Sequence, residues 1–64
     1  MLSDTELAVR IALEQLPPAE RTLLLLHDVY GYTAEELARQ YGCRADCLRQ
    51  RLRRARQRLR RLLK

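Results

Sequence analysis

The 64-residue sequence has no Trp and no Phe, and only two glycines, two prolines and two cysteines. With bulky aromatics nearly absent, its apolar positions (47% of the chain) are filled mostly by Leu and Ala, a composition that suits a compact helical unit better than a sheet. No apolar run approaches the ~18 residues that a membrane span needs, and Met1-Leu2-Ser3-Asp4 lacks signal-peptide character. Cys43 and Cys47 stand too close together to define a disulfide framework, so the expected setting is reducing and cytoplasmic, without a membrane span. Neither a nucleophile–base set nor a phosphate-binding loop occurs, so no enzymatic activity and no cofactor are expected. At this length the chain forms one small domain, 1–64, near the lower limit for burying a core unaided.

Acidic residues are also scarce, but only in one place. Residues 1–43 hold three Arg against seven acids, a net of −4, whereas residues 44–64 hold nine Arg and Lys64 against Asp46 alone, a net of +9. A like-charged block of this kind points either to a polyanionic partner or to a disordered tail. The two differ in whether the block also carries an apolar stripe, and this one does.

Four helical segments are expected. Ser3-Asp4-Thr5-Glu6 has the form of a capping box, followed by an apolar face of Leu7, Ile11 and the Ala8/Ala12 pair that runs to Leu16. Pro17-Pro18 ends that helix and opens the next, since proline is tolerated in the first turn. The second helix runs to about Tyr30, with the Leu23 to Leu26 run inside it and Leu23, Leu26 and Tyr30 at helical spacing. Gly31 suits the left-handed position past its end. Thr33-Ala34-Glu35-Glu36 is a second capping box, opening a short helix with Leu37, Ala38 and Tyr41, which Gly42 closes. Two helices across a brief Gly-containing turn make a helix-turn-helix, at about 33–63. The fold class is therefore all-α: a small four-helix domain containing a helix-turn-helix with a long arginine-rich recognition helix.

That last helix is expected from near Ala45 to Leu63. Leu48, Leu52, Ala55, Leu59 and Leu62 step by four and three along one stripe. At about 100° per residue, Asp46, Gln50, Arg53, Arg54, Gln57 and Arg61 fall opposite. Arg49, Arg56 and Arg60 border the stripe on one edge, Arg51 and Arg58 on the other. Guanidinium groups form bidentate bonds to phosphate and to guanine O6/N7, which lysine does less well. Three duller readings compete. A merely solvated face would mix both signs, a membrane-surface helix would carry Trp or Phe, and two heptads are short for an independent coiled coil.

The stretch LPPAERTLLLLHDVYGYTAEELARQYGCRADCLRQRLRRARQRL resembles region 4 of bacterial sigma factors, the extracytoplasmic-function group in particular. The matching residues are Leu16-Pro17, Arg21, Gly31-Tyr32-Thr33, Glu35-Glu36-Leu37-Ala38, Gly42, and Arg51-Leu52-Arg53-Arg54-Ala55-Arg56 with Leu59. The resemblance covers residues 16–63. It implies a C-terminal DNA-binding domain that reads the −35 promoter element in the major groove during transcription initiation, set apart from region 2 at an added or internal Met. It places Gln50, Arg53 and Arg54 as base readers. Phosphate contacts are expected from Arg39, Arg44, Arg49, Arg51 and Arg56. The implied partners are promoter DNA, the RNA polymerase core through its beta-subunit flap, and an anti-sigma factor. Where the family favours Ser or Pro, then Gly-Thr-Val, this chain has Arg44-Ala45-Asp46-Cys47-Leu48. Arg44 cannot cap a helix as Ser would, and Cys47 replaces a hydroxyl able to bond phosphate.

Cys43 falls where the family packs an apolar turn residue, which favours packing over a metal or thiol switch with Cys47 and His27. His27 is expected at the surface or half-buried, and Glu35 and Glu36 in capping and helix-dipole roles. Two alternatives remain beside the sigma-factor reading. One is the helix-turn-helix output domain of a response regulator, which lacks the long arginine-rich extension. The other is a protein-interaction module that docks its basic helix on an acidic partner such as an anti-sigma factor.

Overall fold

Three of the four helices start where the sequence provides for the first turn, with Ser3, Pro18 and Thr33; the last starts at Arg44 without a side-chain cap. The computed structural model describes residues 2–63. Helix α1 spans Asp4–Gln15, and the Ser3 hydroxyl accepts the Glu6 N–H at 3.2 Å. The reciprocal carboxylate bond of a full capping box is not formed there, so this cap is half of the one expected. Pro18 occupies the first turn of α2, Pro18–Leu24, whose backbone continues through Leu25–Val29.

In that continuation the turns widen: Tyr30 N–H donates to the carbonyl of Leu25, five residues back, at 3.1 Å. A wider turn advances each residue by less than the ~100° of an α-helix, which displaces the expected Leu23, Leu26 and Tyr30 face. Leu23 and Leu24 are buried, Leu25 and Leu26 are half-buried, and Tyr30 is 71% exposed. Only the first half of the Leu23 to Leu26 run is thus core. Gly31 takes φ +79°, the left-handed turn conformation expected of it.

Helix α3, Ala34–Tyr41, carries the complete capping box. Thr33 Oγ1 accepts the Glu36 N–H at 3.0 Å, and Glu36 Oε1 accepts the Thr33 N–H at 2.9 Å. The Thr33 backbone N–H and then the Thr33 side chain stabilise the ionised Glu36 carboxylate. With a smaller contribution from Arg39, they hold it below its ordinary value. Gly42, at φ +69°, ends the helix, and both its N–H and that of Cys43 reach the Ala38 carbonyl. A side chain at Gly42 would meet open space, so it is the backbone angle that calls for glycine.

Helix α4, Ala45–Leu62, packs against α3, α2 and α1. At 18 residues it is about 27 Å long. Its stripe forms the centre of the core: Leu48 and Ala55 are fully buried and Leu52 nearly so, joined by Leu16, Leu23, Leu24, Ala34, Leu37 and Ala38. Leu59 is half-buried and Leu62 lies largely outside, because the stripe runs past the elements that cover it. Tyr41 is 40% exposed at the rim.

The expected face of α1 is corrected most. Leu7 and Ile11 are each 47% exposed and Ala8 is exposed, whereas Ala12 and Leu16 are buried. The helix joins the core through Leu13 and Leu16, at and just beyond its C-terminal end.

Candidate nucleic-acid interface

Because Leu48, Leu52 and Ala55 lock one side of α4 into the core, the other side must face solvent. Gln50, Arg53 and Arg54 all lie there, exposed, as their spacing implied. Among the described residues, Arg51, Arg53, Arg54, Arg60 and Arg61 have no carboxylate partner. The outward row is therefore cationic without local compensation, and its forked donors are suited to phosphate or to a guanine edge.

The two borders of α4 differ. On one, an open cleft of about 490 Å³ runs between α4 and the junction of α2 with α3, lined by His27, Arg49, Arg53, Arg56, Gln57 and Arg60 together with Ala34 and Leu52. Two of its arginines are already engaged. Arg56 Nη2 donates to Asp28 Oδ1 at 2.8 Å. Arg49 sits between two carboxylates, donating through Nη1 to Asp46 Oδ1 at 3.1 Å and through Nη2 to Glu35 Oε2. On the opposite border Arg51, Arg54 and Arg58 flank Ala19, Glu20, Leu23 and Tyr41. There Arg58 Nε is shared by both oxygens of Glu20, at 2.8 and 3.0 Å.

Of the remaining expected contacts, Arg44 caps nothing with its side chain and approaches Asp46 at 3.9 Å. Arg39 stands exposed in the last turn of α3. Glu36 caps α3 and Glu35 lies beside it in the first turn, as their expected capping and helix-dipole roles require, and Glu35 additionally pairs with Arg49. Periodicity did not reveal Glu20, Asp28 or Glu35 as arginine partners, since the pairs join residues 38, 28 and 14 positions apart. The one pair with a local signature was Asp46–Arg49, at three residues along a single helix.

Cys43 is half-buried against the core and Cys47 is exposed. His27, also half-buried, has Nδ1 2.8 Å from the Tyr32 carbonyl oxygen. No group of three or more His, Cys, Asp or Glu side chains that could hold a metal ion occurs among the described residues. Nor is any described helix long and apolar enough to cross a membrane.

Residues 6–59 match the family model described as "Sigma-70, region 4". The chain is 38% identical over 56 residues to "Probable ECF RNA polymerase sigma factor SigI" of Mycobacterium tuberculosis, in strains CDC 1551 / Oshkosh and ATCC 25618 / H37Rv alike. The aligned stretch covers 88% of this chain and 19% of each relative, so the chain spans about a fifth of the length of these curated proteins. No solved structure matches it.

Proposed function

The chain belongs to the sigma-70 region 4 family as a sigma-factor DNA-binding domain of the extracytoplasmic-function type, and from this premise we propose that α4 reads the −35 promoter element in the major groove. The observation that carries the reading is the outward row of Gln50, Arg53 and Arg54, exposed along a helix whose opposite side is locked by Leu48, Leu52 and Ala55. A helix presented in this way fits a major groove, where arginine pairs with guanine O6/N7 and glutamine with adenine N6/N7.

In this reading Arg39, Arg44, Arg49, Arg51 and Arg56 hold phosphates on either side. The carboxylate partners of Arg49 and Arg56 do not exclude that role. Their pairs are solvent-exposed, and such pairs are worth only about 0–1 kcal/mol, so an incoming phosphate can take over the same fork of donors. The partners that go with the role are promoter DNA, the beta-subunit flap of RNA polymerase and an anti-sigma factor. The response-regulator alternative gives way to the sigma-factor family.

The reading is tested by binding Arg54→Ala and Arg56→Ala to a panel of single-base duplex variants over a range of salt. Arg54→Ala is expected to cost roughly 1–3 kcal/mol and to relax preference at one base position. Arg56→Ala is expected to weaken all duplexes about equally and to shallow the salt slope by about one, from a wild-type slope of roughly −4 to −5 if four to six arginines meet phosphates. Uniform losses in both variants would remove Arg54 from base reading, and a flat salt response would overturn the electrostatic basis of the role.

A further inference from the structure

Two acids stand on the border of α4 where an incoming phosphate would find them repulsive. Asp28 and Glu35 have side chains 49% and 57% exposed, and they hold Arg56 and Arg49, two of the arginines that line the cleft. Neither is there to complete the core. The Glu20–Arg58 pair on the other border is different: the Glu20 side chain is only 21% exposed, a buttress between α2 and α4. Glu35 lies in the first turn of α3, where the helix dipole favours an acid. Asp28 has no such support. It sits at the C-terminal end of the helical run from Pro18 to Val29, where the dipole disfavours negative charge; its cationic partner is Arg56 at 2.8 Å, with the His27 imidazole 4.0 Å away.

We propose that Asp28 and Glu35 are specificity-determining residues, which neutralise Arg56 and Arg49 in the free protein and so suppress binding to arbitrary DNA. The inference rests on the DNA-reading role above. Binding to arbitrary duplex comes almost entirely from phosphate neutralisation, so each arginine withheld removes about one contact from it. In a loose complex the backbone passes in many registers, most of which set phosphates against the two carboxylates, so their repulsion is felt in full. Once Gln50, Arg53 and Arg54 dock on the correct bases, phosphates are held in register beside the two pairs and displace the acids. Discrimination arises from a penalty on the wrong partner rather than from an added attraction to the right one.

The test uses Asp28→Asn, Glu35→Gln and the double variant, each of which removes charge while keeping shape and hydrogen-bonding oxygen. Glu14→Gln is the control, an acid on α1 that pairs with no arginine among the described residues. Affinity is measured for a duplex recovered from randomised DNA by selection on the wild-type chain, and for a shuffled duplex of the same composition. In the double variant the shuffled duplex is expected to tighten about tenfold, its salt slope steepening by about one per acid removed. The selected duplex should tighten only about two- to threefold, the cost of displacing exposed pairs. Glu14→Gln should change neither, and thermal melts should confirm that all variants fold. Equal tightening of both duplexes would reduce the acids to bulk charge, and weakening of both would make them props for the arginines. Either result overturns the proposal, as does no change. Failure of the wild-type chain to enrich any duplex would overturn the DNA-reading role itself, and this assignment with it.

Discussion

Helices α1 and α4 both repeat apolar residues at helical spacing, and the fold treats them in opposite ways. In α4, Leu48 and Ala55 are sealed from solvent and Leu52 is 5% exposed; in α1, Leu7 and Ile11 are each 47% exposed. The difference lies less in the residues than in what surrounds them. Helix α4 packs against α2, α3 and α1, whereas α1 touches the others mainly towards its C-terminal end, through Leu13 and Leu16. A stripe marks which side of a helix could be buried; only a neighbouring element makes it core. The domain is therefore a unit of α2, α3 and α4, with the N-terminal half of α1 projecting from it.

The largest predicted effect tests the sealed end of this comparison. Leu48→Ala removes a side chain with no solvent exposure, from a site walled on several sides. Such truncations cost about 2–5 kcal/mol, because the cavity left behind relaxes only in part. A chain of this size is worth roughly 3–10 kcal/mol in total, so the variant is expected to be partly or wholly unfolded by far-UV circular dichroism at room temperature. A urea midpoint near wild type would mean that α4 is not the centre of the core.

The same contrast explains what could be read in advance. Helix ends were legible because they depend on neighbours in sequence: Ser3, Pro18, Gly31, Thr33 and Gly42 act on backbone groups only a few residues away. The exposed row of Gln50, Arg53 and Arg54 was legible for a related reason, since a buried stripe on one side of a helix fixes the other. Two things were not. The widening at Leu25–Val29 has no signature in the run of leucines, and it turned Tyr30 out of the core. The arginine partners Glu20, Asp28 and Glu35 depend on how α4 lies across the earlier helices, a tertiary matter that no local spacing encodes. Half of the border described for α4 was thus invisible until the helices were assembled.

A middle-sized effect sharpens the comparison at the two caps. Thr33 and Glu36 bond reciprocally at the start of α3, inside the packed unit, while Ser3 makes a single, longer bond at the start of the projecting α1. Thr33→Ala is expected to cost about 1 kcal/mol and Ser3→Ala distinctly less. The Thr33 cap should also depend on pH. Glu36 has its folded-state value lowered, chiefly by the Thr33 backbone N–H, so it stabilises the fold fully above the unfolded-state glutamate value and loses that contribution as pH falls through the lower, folded one. Urea melts of wild type and Glu36→Gln across the acid range should therefore converge as pH falls. A constant difference between them at every pH would mean that the carboxylate does not titrate from the cap.

The smallest predicted effect tests the open end. Ile11→Ala removes side-chain surface of which about half already meets water. Full burial of an isoleucine contributes roughly 1.5–3 kcal/mol, so the portion lost here is on the order of 1 kcal/mol. Alanine recovers part of it, since it suits an exposed helix better than a β-branched residue by a few tenths of a kcal/mol. Little cavity cost is added, because solvent fills the space. The net change should be about 0.5 kcal/mol, several times less than for Leu48→Ala, and the urea slope should stay the same because no core surface is exposed. If Ile11→Ala instead costs as much as Leu48→Ala, then the face of α1 is packed in solution. The division between a sealed unit and a projecting helix would then fail.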